Sequence, residues 1–525
     1  MKILVTDPLA EEGVEVLKKE GFVVDCKGKL SPEELAKVIP GYDGLIVRSG
    51  TRVTKEAIEQ ATKLKVIGRA GVGLDNVDIK AATAKGVIVM NSPSGNTIST
   101  AEHTLAMIFA LARNIPQANS SLKSKKWEKK KFSGSELYGK TLGVLGLGRV
   151  GSRVARIVSS LGMKVIGYDP FISPEKAAKI QVRLVEIKKL FRESDYITVH
   201  TPLTSETKGI VGKKEFKLMK EGVRIINCAR GGIIDEKALC DALKEGKVKG
   251  AALDVYEKEP PFDNPLLSLD NVITTPHLGA STKEAQINVA RDIARQICDV
   301  LKRKISLHTA NIPVVDEKLA EIIGPYFALA EKLGMLIAQL KEGNIKRIEI
   351  GYQGEIVEYD LSSLKHNLIK GFLRPSLGNQ VNYVNAPFLL EERGVKISET
   401  KTTSSEEFAN LLSCNIETDK ASLMVSGTLL SRNDIRIVKI DGYPINAVPE
   451  GFLLICRNED EPGIIGEIGT ILGKKGINIA GMTLGRKKKG GLAITVLNID
   501  KAIPADILDK IQEIPAVKVA KLVEL

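Results

Sequence analysis

The amino-acid sequence predicts an α/β fold of parallel sheets alternating with helices, followed by an α+β region and a small C-terminal βαββαβ unit. Three observations predict it. Short apolar stretches alternate with helix-length segments over residues 1–95 and again over 139–278, as parallel sheets require. A glycine-rich turn, Gly146-Leu147-Gly148-Arg149-Val150-Gly151, joins a strand-like to a helix-like segment. Residues 452–525 read strand, helix, strand, strand, helix, strand, which is the ferredoxin-like order.

Taken in order, the first region offers strands at 3–5, 23–25, 45–47, 66–67 and 87–89, with helical stretches such as 32–38 and 54–61 between them. Ser99-Thr100-Ala101-Glu102 reads as a capping box that opens a long buried helix through the apolar run 105–112. His103, near its start, reads on its own as a satisfied helix histidine. The second region has strands at 142–145, 165–168, 196–200, 224–227, 251–255 and 272–275. A helical stretch from 281 to about 302 has no strand after it, so it is placed to rejoin the first region and make that domain discontinuous. Residues 310–450 mix a helix over 319–340 with strands at 347–352 and 420–428, and carry no catalytic constellation. The last unit turns its hairpin at Lys487-Lys488-Lys489-Gly490-Gly491.

A chain of 525 residues suggests three or four domains at roughly 150 residues each. No apolar run approaches the ~20 residues of a membrane span. Asp7 interrupts the N-terminal segment too early for a secretory leader, so a cytoplasmic location is expected. The six cysteines form no Cys-x-x-Cys pair and the five histidines no ligand spacing, so neither a metal site nor a disulfide framework is expected. The net charge of +12 suits either a field that attracts anionic ligands or a lysine-rich solvated surface. Basic residues are spread along the chain and aromatics are only 4%, which argues against nucleic acid; the dense cluster at 123–131 is short.

The glycine turn carries the strongest chemical signal. In the dinucleotide fingerprint Gly146 allows the tight turn, Gly148 lets the backbone approach a pyrophosphate, and Gly151 lets helix and strand pack closely. The helix N-terminus supplies free N–H groups and a positive dipole end. Asp169, about 20 residues on, suits the ribose hydroxyls and repels a 2′-phosphate, which favours NAD over NADP. The similar stretch Gly68-Arg69-Ala70-Gly71-Val72-Gly73 has the wrong spacing and reads as a loop near a small ligand.

Oxidising an alcohol with NAD requires a base, a cation for the substrate carboxylate and a partner that tunes the base. Strand ends of the second region offer these types: Arg230, Glu257 or Glu259, and His277. Spacing leaves open which glutamate serves, and whether His277 or Arg230 serves at all.

The motifs 146–151, Tyr168-Asp169-Pro170, His200-Thr201-Pro202-Leu203, 227–232, Leu253-Asp254-Val255-Tyr256 and Pro276-His277-Leu278-Gly279 together resemble the D-2-hydroxyacid dehydrogenases. The resemblance covers almost the whole chain and is to the long form with two extra C-terminal domains. It implies a Rossmann-type NAD-binding domain (97–283), a discontinuous flavodoxin-like substrate domain (1–96 and 284–308), an α+β intervening domain (309–450) and a ferredoxin-like ACT domain (452–525). It implies His277 as general base, Glu259 as its partner and Arg230 as the carboxylate clamp. Gly146, Gly148, Arg149, Val150, Gly151, Asp169, Thr201, Cys228, Ala229, Arg230, Asp254, His277, Leu278, Gly279 and Ala280 would line the NAD site. Arg48, Ser49, Ala70, Gly71 and Asn96 would face the substrate. The implied substrate is 3-phosphoglycerate, with Arg48, Arg69 or the lysines at 129–131 holding its phosphate. The ACT resemblance rests on 458–463 and 476–479, and implies an L-serine effector held by Asn458, Asp460 and Asn478 in a homo-oligomer, a dimer or tetramer. Two other readings share the core motifs: a glyoxylate or hydroxypyruvate reductase, and a nucleotide-sensing co-regulator. The C-terminal pair of domains counts against both.

Overall fold

The computed structural model describes residues 1–302, 308–404 and 407–525. Residues 303–307, within the segment expected to close the first domain, lie outside the described residues.

The N-terminal unit is a five-stranded parallel sheet in the order Val23–Cys26, Lys2–Val5, Gly44–Val47, Val66–Arg69, Ile88–Asn91. This 2-1-3-4-5 order is the flavodoxin-like one. One sheet face buries Leu4, Leu45, Val47 and Ile67. The other is covered by the helix Lys283–Leu301, whose Val289, Ile293, Ala294 and Ile297 pack with Ile3, Val5, Ile46 and Val66. The chain therefore returns to its first sheet after completing the second.

The second sheet has seven parallel strands in the order Arg183–Leu184, Lys164–Tyr168, Thr141–Leu145, Tyr196–Val199, Val223–Asn227, Val248–Leu253, Val272–Thr274. Chain order reverses between Thr141–Leu145 and Tyr196–Val199. Such a switch point opens a crevice at the carboxyl ends of the strands, where nucleotides bind. The glycine turn stands at this crevice.

The helix Thr97–Arg113 links the two sheets and buries Met107, Ile108 and Leu111. It does not start at the expected capping box. Asn96 is its first cap, and Ser99 and Thr100 lie inside it, buried. Their hydroxyls donate instead to Gly279 O, at 2.7 and 3.1 Å.

Residues 317–447 build a six-stranded sheet in which Ile345–Gly354 pairs parallel with Lys396–Thr402 and the remaining neighbours are antiparallel. The helix expected over 319–340 is two helices, Glu317–Ile323 and Pro325–Leu340. Pro325 has no N–H to continue the first helix and suits the first turn of the second. The C-terminal unit is the expected βαββαβ, with strand order Ile479–Arg486, Leu492–Ile499, Phe452–Glu459, Val517–Glu524. Its two helices cover one sheet face; the other, through Leu453, Ile455, Ile494 and Val496, shares a core with the six-stranded unit.

Candidate active site

Asn227 shapes the turn that follows the strand Val223–Asn227. Its Oδ1 accepts from Ala229 N (3.0 Å) and its Nδ2 donates to Arg230 O (2.9 Å). The turn presents Arg230 to the first unit, where its Nε lies 3.3 Å from Asp75 Oδ2. A Cβ at Gly73 would lie 2.1 Å from Arg230 Nη2 and 2.7 Å from Asp75 Oδ2, so a side chain there would displace the ends of both partners.

Arg69 lies beside Arg230 and Arg48. Burial, then the charges of those two arginines, push its guanidinium down to about 10, against the opposing pull of Asp75 and Asp7. Its Nε is buried without a partner. A guanidinium with an unfilled donor among like charges is a ready anion site. Arg48 is braced by Asp7, which accepts from its backbone N, and by its own Nη1 donating to Pro8 O. Ser49 is exposed beyond it, while Ala70 is buried and Gly71 N bonds Arg69 O. Asn96 Oδ1 is buried and unpartnered at the hinge into the linking helix. Lys129, Lys130 and Lys131 are exposed on the stretch after the helix Ile115–Lys123.

His277 follows the strand Val272–Thr274 in the left-handed region, φ 56°. Its Nδ1 stands 2.9 Å from Glu259 Oε2 and 3.1 Å from Oε1. Burial alone would raise the Glu259 carboxyl, but the hydrogen bond and charge of His277, with the Tyr256 amide, hold it below the usual carboxylate range. An ionised carboxylate only accepts, so Nδ1 carries the proton and Nε2 is left with its lone pair. Glu259, not Glu257, is the glutamate bonded to His277; the backbone amide of Glu257 donates to Glu236 Oε1.

Asp254 secures the loop that carries His277. It is 1% exposed and accepts from Leu278 N (2.7 Å), Gly279 N (2.8 Å) and Thr275 Oγ1 (2.6 Å), with His103 Nε2 at 3.3 Å. Burial opposes its charge; His103, Thr275 and the Leu278 amide outweigh that and keep it below the usual range. Asp254, expected to line the cofactor site, thus has both oxygens committed to the loop. His103 is more than a helix histidine, since it meets Asp254 and Thr275 Oγ1. Sequence reasoning missed Asp75 and Glu236, whose partners are remote in the chain.

The glycine turn fits a dinucleotide. Gly146 has φ 93°, and a side chain there would press on His200 and Thr201. Nothing stands within 4 Å of a Cβ at Gly148, the uncapped N-terminus of the helix Arg149–Ser160. A Cβ at Gly151 would lie 2.0 Å from Gly146 O. Thr201 Oγ1 is buried without a partner beside the turn, and Arg149 Nη1 reaches Pro93 O at 3.4 Å. Val150 packs against the core beneath. Asp169, at the strand tip, accepts from Leu147 N (2.8 Å) and Phe171 N (2.9 Å), which fixes its orientation. Burial, then Asp254, push the Cys228 thiol up to about 12, so it stays neutral. Burial likewise pushes His200 down to about 4. Leu278 is exposed, Gly279 is buried and Ala280 half-buried.

Residues 105–279 match the family model for the D-isomer specific 2-hydroxyacid dehydrogenase NAD-binding domain. Residues 322–441 match the D-3-phosphoglycerate dehydrogenase intervening domain, and 452–516 the ACT domain. The chain is 46% identical to the D-3-phosphoglycerate dehydrogenase of Methanocaldococcus jannaschii, over all of both chains. It is 43% identical to that of Bacillus subtilis, over 100% of this chain and 99% of the other. The chain belongs to the D-3-phosphoglycerate dehydrogenase family. Among solved structures it resembles an Aquifex aeolicus D-lactate dehydrogenase complexed with NAD and lactic acid (28% identity, TM-score 0.52, 57% of this chain and 96% of that one). A Paecilomyes thermophila glyoxylate reductase is similar (28%, TM-score 0.55, 59% and 98%). The cofactor of this NAD-binding domain is NAD. Among the described residues no cluster suits a metal ion and no helix is long and apolar enough to cross a membrane.

In the ACT unit Asn458 departs from expectation. It is 1% exposed; its Oδ1 accepts from Thr495 Oγ1 and its Nδ2 donates to Glu459 O, so both side-chain atoms are engaged within the unit. Strand alternation turned it inward. Asp460 accepts from Arg486 Nη1 and Gly490 N, and the exposed Asn478 pairs with Asp500.

Proposed function

We propose that the chain oxidises D-3-phosphoglycerate to 3-phosphohydroxypyruvate with NAD, as the first step of phosphorylated L-serine biosynthesis. The observation that carries this is the gathering of Arg230, from the sheet whose strand ends present His277 and Glu259, with Arg69 and Arg48 from the strand ends of the first sheet. A 2-hydroxy acid bearing a phosphate has two anionic groups, and the three guanidiniums suit both. Arg230 clamps the carboxylate; Arg69 and Arg48 take the phosphate. His277 Nε2 takes the hydroxyl proton while Glu259 stabilises the imidazolium that results. Gly146–Gly151 and Asp169 would hold NAD, which would supply the acceptor for the hydride that leaves the carbon. The second anion site and the C-terminal pair favour this substrate over glyoxylate or hydroxypyruvate.

Residues 1–96 with 284–308 form the substrate domain, 97–283 the NAD domain, 309–450 the intervening domain and 452–525 the ACT domain. L-serine acts on the ACT domain through Asp460 and Asn478, in a cytoplasmic homo-oligomer, a dimer or tetramer. The test is NADH formation by purified protein with 3-phosphoglycerate, beside glycerate and lactate, with and without L-serine. Turnover of lactate but not of the phosphorylated acid overturns the assignment.

A further inference from the structure

The loop between the strand Val248–Leu253 and the turn Pro265–Ser268 carries Glu259. Pro260, Pro261 and Pro265 donate no backbone hydrogen bond. Beside the loop lies an open cleft of about 560 Å³ lined by Glu236, Cys240, Lys244, Glu257, Pro260 and Pro261. Within the loop the Tyr256 amide donates to Glu259 Oε1 and Asn264 N to Pro261 O; from outside it, one carboxylate reaches both ends. Glu236 Oε1 accepts from the Glu257 amide and Oε2 from Asn264 Nδ2, both at 2.6 Å. These two donors bracket Glu259.

Glu236 is itself well anchored. It is the first residue of the helix Glu236–Lys244, capped by Asp235, whose side chain accepts from Ala238 N. The helix buries Ala238, Leu239, Cys240, Ala242 and Leu243. The helix N-terminus also favours a carboxylate there. On the near side, a side chain at Gly231 would come within 1.9 Å of Tyr256 O, so the turn presenting Arg230 presses on the start of the same loop.

We propose that Glu236 is a positioning residue: it staples both ends of the 257–264 loop so that Glu259 meets His277 Nδ1. This rests on the roles given above to His277 and Glu259. A carboxylate that is free to swing no longer fixes the imidazole with Nε2 toward the hydroxyl, and misplacement on the ångström scale is enough to cost about 10²-fold in rate.

The test uses the full-length enzyme as E236A, E236Q, E259Q and E236A/E259Q, with kcat and KM for 3-phosphoglycerate and NAD, and hydrogen exchange of the Glu257 amide. E236A is expected to lower kcat by about 10- to 100-fold, to leave KM for NAD within about twofold, and to speed exchange at Glu257. E236Q, which keeps an acceptor for Glu257 N, is expected to recover part of the rate. In the E259Q background E236A is expected to cost less than about threefold more, because it acts through the missing group. Full additivity in the double variant, or unchanged exchange at Glu257, overturns the staple. Wild-type enzyme inactive with 3-phosphoglycerate would instead overturn the substrate assignment, and the exchange readout still decides whether Glu236 holds the loop.

Discussion

Arg230 Nε lies 3.3 Å from Asp75 Oδ2, so the residue assigned to the substrate carboxylate is already held by an acid from the other α/β unit. The ion pair joins the two units at the site itself. Asp75 is largely exposed and yields to a substrate carboxylate at modest cost. Replacing Arg230 with Lys removes the planar fork while keeping the charge. R230K is expected to lower kcat/KM for 3-phosphoglycerate by about 10- to 100-fold, seen in initial rates, because one of two charge-assisted bonds is lost.

His277→Ala is expected to leave NAD affinity within about threefold, since the glycine turn lies on other strands, and to lower kcat by about 10³-fold or more. Calorimetric titration with NAD and steady-state rates check the two halves. Retained turnover would remove His277 from the role of base.

Arg69→Met tests the phosphate assignment. It is expected to lower kcat/KM for 3-phosphoglycerate by about 100-fold and that for glycerate by less than about threefold, because only the first substrate carries the second anion. Equal losses on both would assign Arg69 to the carboxylate or to the fold.

Asp254 and Glu259 are both held below the usual carboxylate range. Each therefore stabilises the fold fully above the unfolded value of about 4, and that stabilisation is lost as pH falls through the lower folded value. The wild type is expected to lose stability progressively below pH of about 4. Asp254→Asn places an N–H against a loop amide, and is expected to cost about 2–3 kcal/mol at neutral pH and to flatten the acid decline. Denaturant unfolding across a pH series measures both.

The parallel sheets were legible in the sequence because apolar period and turn residues are local signals. The nucleotide turn was legible because its glycines, its helix and Asp169 lie within one βαβ unit. Spacing alone did not choose between Glu257 and Glu259, since only Lys258 separates them and the path of a proline-rich loop decides which one meets His277. Ser99 looked like a cap because Ser99-Thr100-Ala101-Glu102 fits a local rule; the acceptor that Ser99 and Thr100 share, Gly279 O, is remote in sequence. Asp75 and Glu236 escaped notice for the same reason. Asn458 shows the converse, since a polar residue in a matching motif had been turned into the core by strand alternation.

The helix Lys283–Leu301 has a consequence for synthesis. When the first hundred or so residues leave the ribosome, the face of their sheet bearing Ile3, Val5, Ile46 and Val66 has nothing to cover it. Its lid is encoded only after the entire seven-stranded unit. The nascent chain thus completes its middle before its beginning, and an apolar surface must stay protected from aggregation in the meantime. A chain stalled before the lid emerges should be a chaperone client, whereas one stalled after it should not.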